Sequence, residues 1–126
     1  MNYSNAEKVA HFQKEVLGSI KPMIWRLPSD PLQEIGYLTE EISEIAIALQ
    51  KADIVQTVDA LMDLLYFAYG LGFKMGIPVD DCFQVVHLAN MQKQRGKSKR
   101  GLDGDTKKPE GWVDPKVTLG EMHAAS

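Results

Sequence analysis

The chain has 126 residues, of which 44% are hydrophobic and 25% are charged, a balance typical of one soluble globular domain and unlike a disordered protein. With 14 Lys and Arg against 17 Asp and Glu, the net charge of −3 argues against a protein that binds duplex DNA through overall positive charge. The single cysteine, Cys82, excludes an intramolecular disulfide and a CxxC zinc site. Because the opening MNYSNAEKVAHF also lacks the pattern of a signal peptide, we expect a cytoplasmic protein.

The first two predicted helices are marked by their capping residues. One helix is expected over about Asn5–Leu17, because Ser4 and Glu7 form a capping-box pair at its start. The next begins after Asp30, with Pro31 suited to the first helical position. Its apolar residues follow a 3-4-3-4 spacing, which lines one face of a helix; they are Ile35, Leu38, Ile42, Ile45 and Leu49.

Two further helices complete the predicted core. The third is expected from about Asp53 to Lys74 and repeats the same apolar spacing. The fourth is expected to start after Asp80 as its cap and to end at about Gln94. Beyond Gly96 the chain is rich in Lys, Gly, Asp and Pro and has no periodicity. We therefore predict a single all-α domain over residues 1–126, with a helical core over about 4–95 and a loop or tail over about 96–126.

Apolar residues exceed what four helices of one chain can cover. Ile20–Leu27 is apolar where a surface loop is expected, and Ala60–Phe73 is apolar nearly all round its helix. The second run holds 14 residues, which is too short to span a bilayer. Burial against a second copy of the chain is the favoured interpretation, and a tightly packed monomer is the alternative.

Acidic side chains gather on the second and third helices. Glu41 and Glu44 are three residues apart beside Glu40, and Asp59 and Asp63 are four apart, so each pair points the same way from its helix. Asp63 is the only charge in its apolar run, where a lone carboxylate would be costly or would take up a proton. A divalent cation removes this cost, and oxygen-only ligands suit Mg²⁺ or Mn²⁺. The alternatives are a solvated face for the glutamates and a hydrogen bond from a Tyr or Lys for Asp63.

These carboxylates resemble those of the all-α nucleoside triphosphate pyrophosphohydrolases, a superfamily that includes MazG, the dimeric dUTPases and phosphoribosyl-ATP pyrophosphohydrolase. The mark of the superfamily is an ExxE motif followed by ExxD. The segment EISE that ends at Glu44 matches the first motif, and Asp63 matches the end of the second. The remaining Glu of the pattern falls on Ala60. Asp59 is expected to take its place, with Gln56 as the alternative.

Three later segments resemble the phosphoribosyl-ATP pyrophosphohydrolase-like branch of this superfamily. They are Gly76–Pro78, the string HLANMQK over His87–Lys93, and KPEGW over Lys108–Trp112. The carboxylates and these segments occur in the expected order. Together they extend the resemblance over most of the chain, from about residue 30 to about residue 115.

The resemblance implies an enzyme that uses Mg²⁺, or Mn²⁺, to cleave a nucleotide between its α and β phosphates, which gives a monophosphate and pyrophosphate. Glu40 and Glu41 are expected to be the catalytic carboxylates, with Glu40 as the candidate general base. Asn90 and Lys93 are expected to contact the substrate, and Trp112 to fold over its base. The expected metal ligands are Glu41, Glu44, Asp59 and Asp63.

We therefore expect an all-α, four-helix bundle-like fold of the MazG type, completed by dimerisation into a homodimer or a dimer of dimers. The expected role is housecleaning of the nucleotide pool, with no membrane or nucleic-acid partner. The pattern does not select among dUTP, dCTP, damaged purine triphosphates and phosphoribosyl-ATP. The alternative function is a non-catalytic helical interaction module, in which the carboxylates set partner specificity and no metal binds.

Overall fold

The computed structural model describes residues 2–96 and 106–126. The chain is 66% helical with almost no sheet, which confirms the predicted all-α class. The contacts divide the chain into two units, Met1–Val79 and Asp80–Ser126, and each is described by itself. In chain order the elements are α1 (Asn5–Glu15), α2 (Pro31–Gln50), α3 (Ile54–Lys74), α4 (Val79–Met91), β1 (Gln94–Arg95), β2 (Thr106–Lys107) and α5 (Pro115–Ala125).

The first three helices start where their capping residues predict. Ser4 and Glu7 form the reciprocal capping box of α1, with backbone N–H to side-chain oxygen distances of 2.9 and 3.1 Å. The Asp30 carboxylate accepts a hydrogen bond from a backbone N–H of the first turn of α2. Asp53 does the same for α3. These bonds satisfy donors that have no partner inside the helix, so a cap residue locates a helix start well.

The last part of the chain differs from the sequence-based prediction. The loop or tail predicted over about 96–126 carries a fifth helix, α5, which begins with Asp114 as its cap and Pro115 at its first position. This is the Asp-Pro signal that also opens α2, but α5 lacks a pronounced apolar stripe. The helix α4 starts at Val79, so Asp80 lies in its first turn and is not the cap. The strands β1 and β2 form a two-residue antiparallel ladder, and residues 97–105 lie outside the described part of the chain.

In the first unit, α1 and α2 both pack against α3. The face of α2 that is buried in this unit carries Glu34, Glu41 and Ala48, which are seven residues apart. On α3 the buried residues include Ala60 and Phe73. Two glutamates, Glu34 and Glu41, therefore lie on the buried side of α2. We call the contact region between α2 and α3 the α2–α3 seam.

The predicted apolar stripes are largely left in solvent. Ile42 of α2 is 55% exposed and Leu49 is 62% exposed, while Val58 of α3 is 52% exposed and Leu65 is 40% exposed. In the segment that precedes α2, Met23 is 97% exposed. A single copy of the first unit thus covers its polar seam and leaves large apolar side chains uncovered.

The helix α3 is long and apolar enough to cross a membrane by length and composition alone. It has 21 residues, and 11% of its most apolar window is buried. The 14-residue run considered in the sequence is therefore only part of a longer helix. A core helix of a soluble protein passes the same test.

Gly76 fixes the segment that leads into α2. Its φ of +71° is in the left-handed region, and an added Cβ would lie 2.8 Å from the carbonyl oxygens of Pro22 and Ile24. Nearby, the backbone N–H of Arg26 donates to the carbonyl oxygen of Met75 at 2.9 Å. Only glycine allows both the turn and this close approach of two backbone segments.

We expect Gly76→Ala to lower the free energy of unfolding by about 1–3 kcal/mol, because it combines a strained φ with a backbone clash. The matched control is Gly36→Ala in α2, where an added Cβ meets nothing within 4 Å. That change should raise the free energy by about 0.5–1 kcal/mol. Urea unfolding at one fixed protein concentration measures both effects. Equal stability of the two variants would contradict the proposed role of Gly76.

Candidate metal centre

A short connection brings the acidic parts of α2 and α3 together. The two helices are separated only by Lys51–Asp53, and Ala52 within this turn has a φ of +54°, a left-handed conformation unusual for a residue with a Cβ. The backbone N–H of Asp53 donates to the carbonyl oxygen of Ala48 at 3.0 Å and closes the turn. Residues at equal distances from the turn therefore lie at about the same level of the two helices.

Glu41 is the most unusual carboxylate of the seam. Glu41 is only 8% exposed, and its Oε2 atom is buried with no hydrogen-bond partner in the described part of the chain. The pKa of Glu41 is raised from its ordinary value of 4.5 to about 6, and burial is the largest cause. The neighbouring Glu44 side chain is the next largest cause, followed by the charges of Asp63 and Glu40. An acidic group is thus held among other acidic groups and away from water.

The second glutamate of the seam shows what is missing at Glu41. Glu34 is also buried, but its Oε1 atom accepts a hydrogen bond from Nζ of Lys74 at 2.6 Å. Buried carboxylates need such a partner, because desolvation of an unpaired charge is costly. The groups that shift the pKa of Glu41 are all carboxylates, so a proton or a bound cation would offset its charge.

A pocket of about 380 Å³ lies at the turn end of the seam. Glu44 lines it from α2, and Asp59 and Gln56 line it from α3. Both candidates for the position of the missing family glutamate therefore reach the same pocket as Glu44. Asp53 and Lys51 also contribute to its wall.

The predicted ligands do not all meet in one coordination group. Glu44 lies close enough to Glu41 to raise its pKa, Asp63 acts on Glu41 through its charge, and Asp59 reaches the pocket of Glu44. Within residues 2–96 and 106–126, no three His, Cys, Asp or Glu side chains lie close enough together to hold a metal ion. Asp63 is half-buried, so the strongest burial falls on Glu41 and not on the aspartate that the apolar run singled out. In donor type and in charge, the set suits a hard divalent cation.

The remaining predicted residues belong to the second unit. Asn90 is exposed near the end of α4, and Lys93 follows that helix. The indole Nε1–H of Trp112 donates to the carbonyl oxygen of Ala89 at 2.7 Å. Nζ of Lys93 lies 5.3 Å from the centre of the Trp112 ring, and Nζ of Lys108 lies 4.8 Å from it. Sequence reasoning did not single out Lys108, although it opens the KPEGW segment.

Comparison with known proteins points to one family. The model of the phosphoribosyl-ATP pyrophosphohydrolase family matches residues 27–90, just over half of the chain. This family belongs to the MazG-like all-α nucleoside triphosphate pyrophosphohydrolase superfamily, and its enzymes are generally divalent-metal dependent. No curated protein matches the chain. The matched span contains the five candidate carboxylates and Asn90, and it ends before Lys93 and Trp112.

The raised pKa of Glu41 predicts how stability depends on pH in the absence of metal. Between about pH 4.5 and about pH 6, the folded chain keeps a proton on Glu41 that the unfolded chain has released. The free energy of unfolding therefore falls across this window as the pH rises. Glu41→Gln removes the fall, so the variant should gain stability over the wild type at pH 7 and gain less at pH 4.5.

Chemical unfolding in EDTA at the two pH values measures this difference, and Glu121→Gln, an exposed site on α5, is the matched control. Millimolar Mg²⁺ at pH 7 should then stabilise the wild type and leave Glu41→Gln unaffected. The same pH dependence in wild type and Glu41→Gln would contradict the assignment of the raised pKa to this side chain.

Proposed function

Because the chain belongs to the phosphoribosyl-ATP pyrophosphohydrolase family, we propose that it hydrolyses a nucleoside triphosphate or a related nucleotide between the α and β phosphates. The products are a nucleoside monophosphate and pyrophosphate. The observation that supports this most directly is the buried, unpartnered Oε2 of Glu41 beside Glu44 and Asp63. The family itself supports a pyrophosphohydrolase in general terms.

We further propose that Glu41, Glu44, Asp59 and Asp63 hold Mg²⁺, with Mn²⁺ as a substitute. When bound, the ion supplies charge neutralisation for phosphate oxygens and a more acidic water. The unmet acceptor on Glu41 supports this role, since a cation would offset both its burial and the charges around it. The oxygen-only donor set supports Mg²⁺ over a softer metal.

The roles of general base and substrate contact are assigned to side chains outside the proposed ligand set. Glu40 is exposed on α2 next to Glu41 and influences its pKa through charge. We assign it as the general base that takes the proton of the attacking water. Asn90 and Lys93 would bind the substrate, since an amide and an ammonium group both donate to phosphate oxygens. Housecleaning of the cytoplasmic nucleotide pool is the role proposed for this reaction.

We propose that the functional form is a homodimer or a dimer of dimers. The exposed apolar stripes of α2 and α3, such as Ile42 and Leu65, lie on the helices that carry the acidic cluster. Exposed apolar area of this extent is typical of an interface. Pairing of two such helix hairpins would give a four-helix unit around the carboxylates, and it would also cover α3 without a membrane.

Assembly is tested by the mass of the protein in solution. Light scattering after size exclusion should give at least twice the chain mass of 14.1 kDa. Ile42→Glu and Leu65→Glu should shift the protein towards the monomer, because each buries a charge in the proposed interface. Thr118→Glu, an exposed change on α5, is the control. A wild-type monomer at high protein concentration would contradict the proposal.

The reaction is tested by its products. With Mg²⁺, one or more members of a panel of canonical and modified nucleoside triphosphates should yield monophosphate and pyrophosphate. A malachite-green assay should detect phosphate only when inorganic pyrophosphatase is added. Phosphate released without pyrophosphatase would point to ordinary phosphatase chemistry and would overturn the proposal. No reaction and no thermal response to Mg²⁺ would favour the non-catalytic interaction module.

In the same assay, Glu44→Gln and Asp63→Asn should lower kcat/KM at least about a hundredfold, since even the outer partners of metal ligands cost 10–100-fold. The control is Glu121→Gln, which should keep wild-type activity. Asp59→Asn and Gln56→Leu decide which side chain replaces the missing family glutamate. We expect only Asp59→Asn to match the loss at Asp63, and the opposite result would transfer the role to Gln56.

A further inference from the structure

The indole ring of Trp112 is held by its edge. Its Nε1–H donates to the carbonyl oxygen of Ala89 at 2.7 Å, and Ala89 is buried near the end of α4. The same carbonyl oxygen also accepts from the backbone N–H of Gln92 at 3.3 Å, so the indole bond fixes the ring to the end of α4. This bond uses the edge of the ring and not its π faces.

Two lysine side chains lie close to that ring. Nζ of Lys93 and Nζ of Lys108 lie 5.3 and 4.8 Å from the ring centre, both within the range of a cation–π contact. The two ammonium groups are therefore at most about 10 Å apart. Among the described residues, neither lysine forms an ion pair with a carboxylate.

The β1–β2 ladder brings together the chain segments that carry the two lysines. Gln94 pairs with Lys107, and Arg95 pairs with Thr106. Lys93 and Lys108 are the residues that directly adjoin the Gln94–Lys107 pair on the two segments. Two ammonium groups gathered at one ring, with no carboxylate partner among the described residues, suit the binding of an anion.

We propose that Lys93 and Lys108 bind the polyphosphate chain of the nucleotide, and that Trp112 is the positioning residue that holds the two lysines together. The identification of the anion as a nucleotide polyphosphate rests on the proposed function. Ammonium groups bind phosphate as point charges, and a polyanion offsets a repulsion that the indole offsets only in part. A base stacked on Trp112 would have to compete with both lysines for the ring, so this assignment replaces the expectation that Trp112 folds over the base.

Binding of inorganic tripolyphosphate to the full chain tests the lysines. Calorimetric titration in EDTA at low salt excludes any contribution from a metal centre. Lys93→Met and Lys108→Met should each weaken binding at least about tenfold, the loss expected for one charge-assisted hydrogen bond. The matched control is Lys116→Met, which removes an exposed lysine of α5 in the same unit and should leave the affinity unchanged. An equal loss in all three variants would mean nonspecific charge attraction and would overturn the proposal.

Substitutions of Trp112 separate positioning from folding. Trp112→Phe keeps an aromatic face for both lysines and should retain most of the affinity, whereas Trp112→Leu should lose as much as a lysine variant while its circular dichroism stays wild type. If Trp112→Leu does not fold, the fluorescence response of Trp112 in the folded chain, described below, is the deciding measurement. Full tripolyphosphate affinity in a folded Trp112→Leu variant would overturn the positioning role.

Fluorescence gives the independent signature. In a Trp25→Phe variant, Trp112 is the remaining tryptophan, and tripolyphosphate should change its emission because the ammonium groups shift towards the anion. A nucleoside without phosphates should leave the emission unchanged. A response to the nucleoside but not to tripolyphosphate would restore base stacking and refute the proposal. Hydrolysis without lysine-dependent tripolyphosphate binding would refute this inference alone, and binding without hydrolysis would refute only the proposed function.

Discussion

A buried carboxylate without a partner is the constraint on which the candidate site depends. Oε2 of Glu41 lies inside the α2–α3 seam with no hydrogen bond from the described residues, and its charged neighbours are acidic. Glu34 in the same seam is neutralised by Lys74, so the fold can pair a buried glutamate where function does not require otherwise. Unpaired charge of this kind is typical of sites that take up a proton or a cation. The span of the family match contains these carboxylates, and the local electrostatics single out Glu41 among them.

Local signals predicted the helix starts well. Ser4, Asp30 and Asp53 each accept a hydrogen bond from the first turn of a helix, and this interaction depends on only a few neighbouring residues. The same logic applies to Asp114 and Pro115 at the start of α5. There the Gly- and Lys-rich residues before the cap indicate a tail instead, and α5 has no clear apolar stripe to oppose that interpretation.

The direction of burial could not be predicted from periodicity. A 3-4-3-4 stripe shows that one side of a helix is apolar, but it does not show whether the same chain or a second copy covers that side. In α2 the buried positions are Glu34, Glu41 and Ala48, and the apolar stripe that includes Ile42 is exposed. Likewise, the cluster around Trp112 depends on a short ladder between β1 and β2, and two-residue strands leave no alternation in a sequence.

The turn at Ala52 has an effect larger than its size suggests. Each residue added to or removed from a helix rotates the later residues by about 100° and moves them by about 1.5 Å. A single residue inserted in the first turn of α3, next to this connection, would therefore turn Asp59 and Asp63 away from the glutamates without altering any acidic side chain. The spacing of this connection carries chemical information although Ala52 itself has no reactive group. Length variation at this loop would be far less neutral than at an ordinary surface loop.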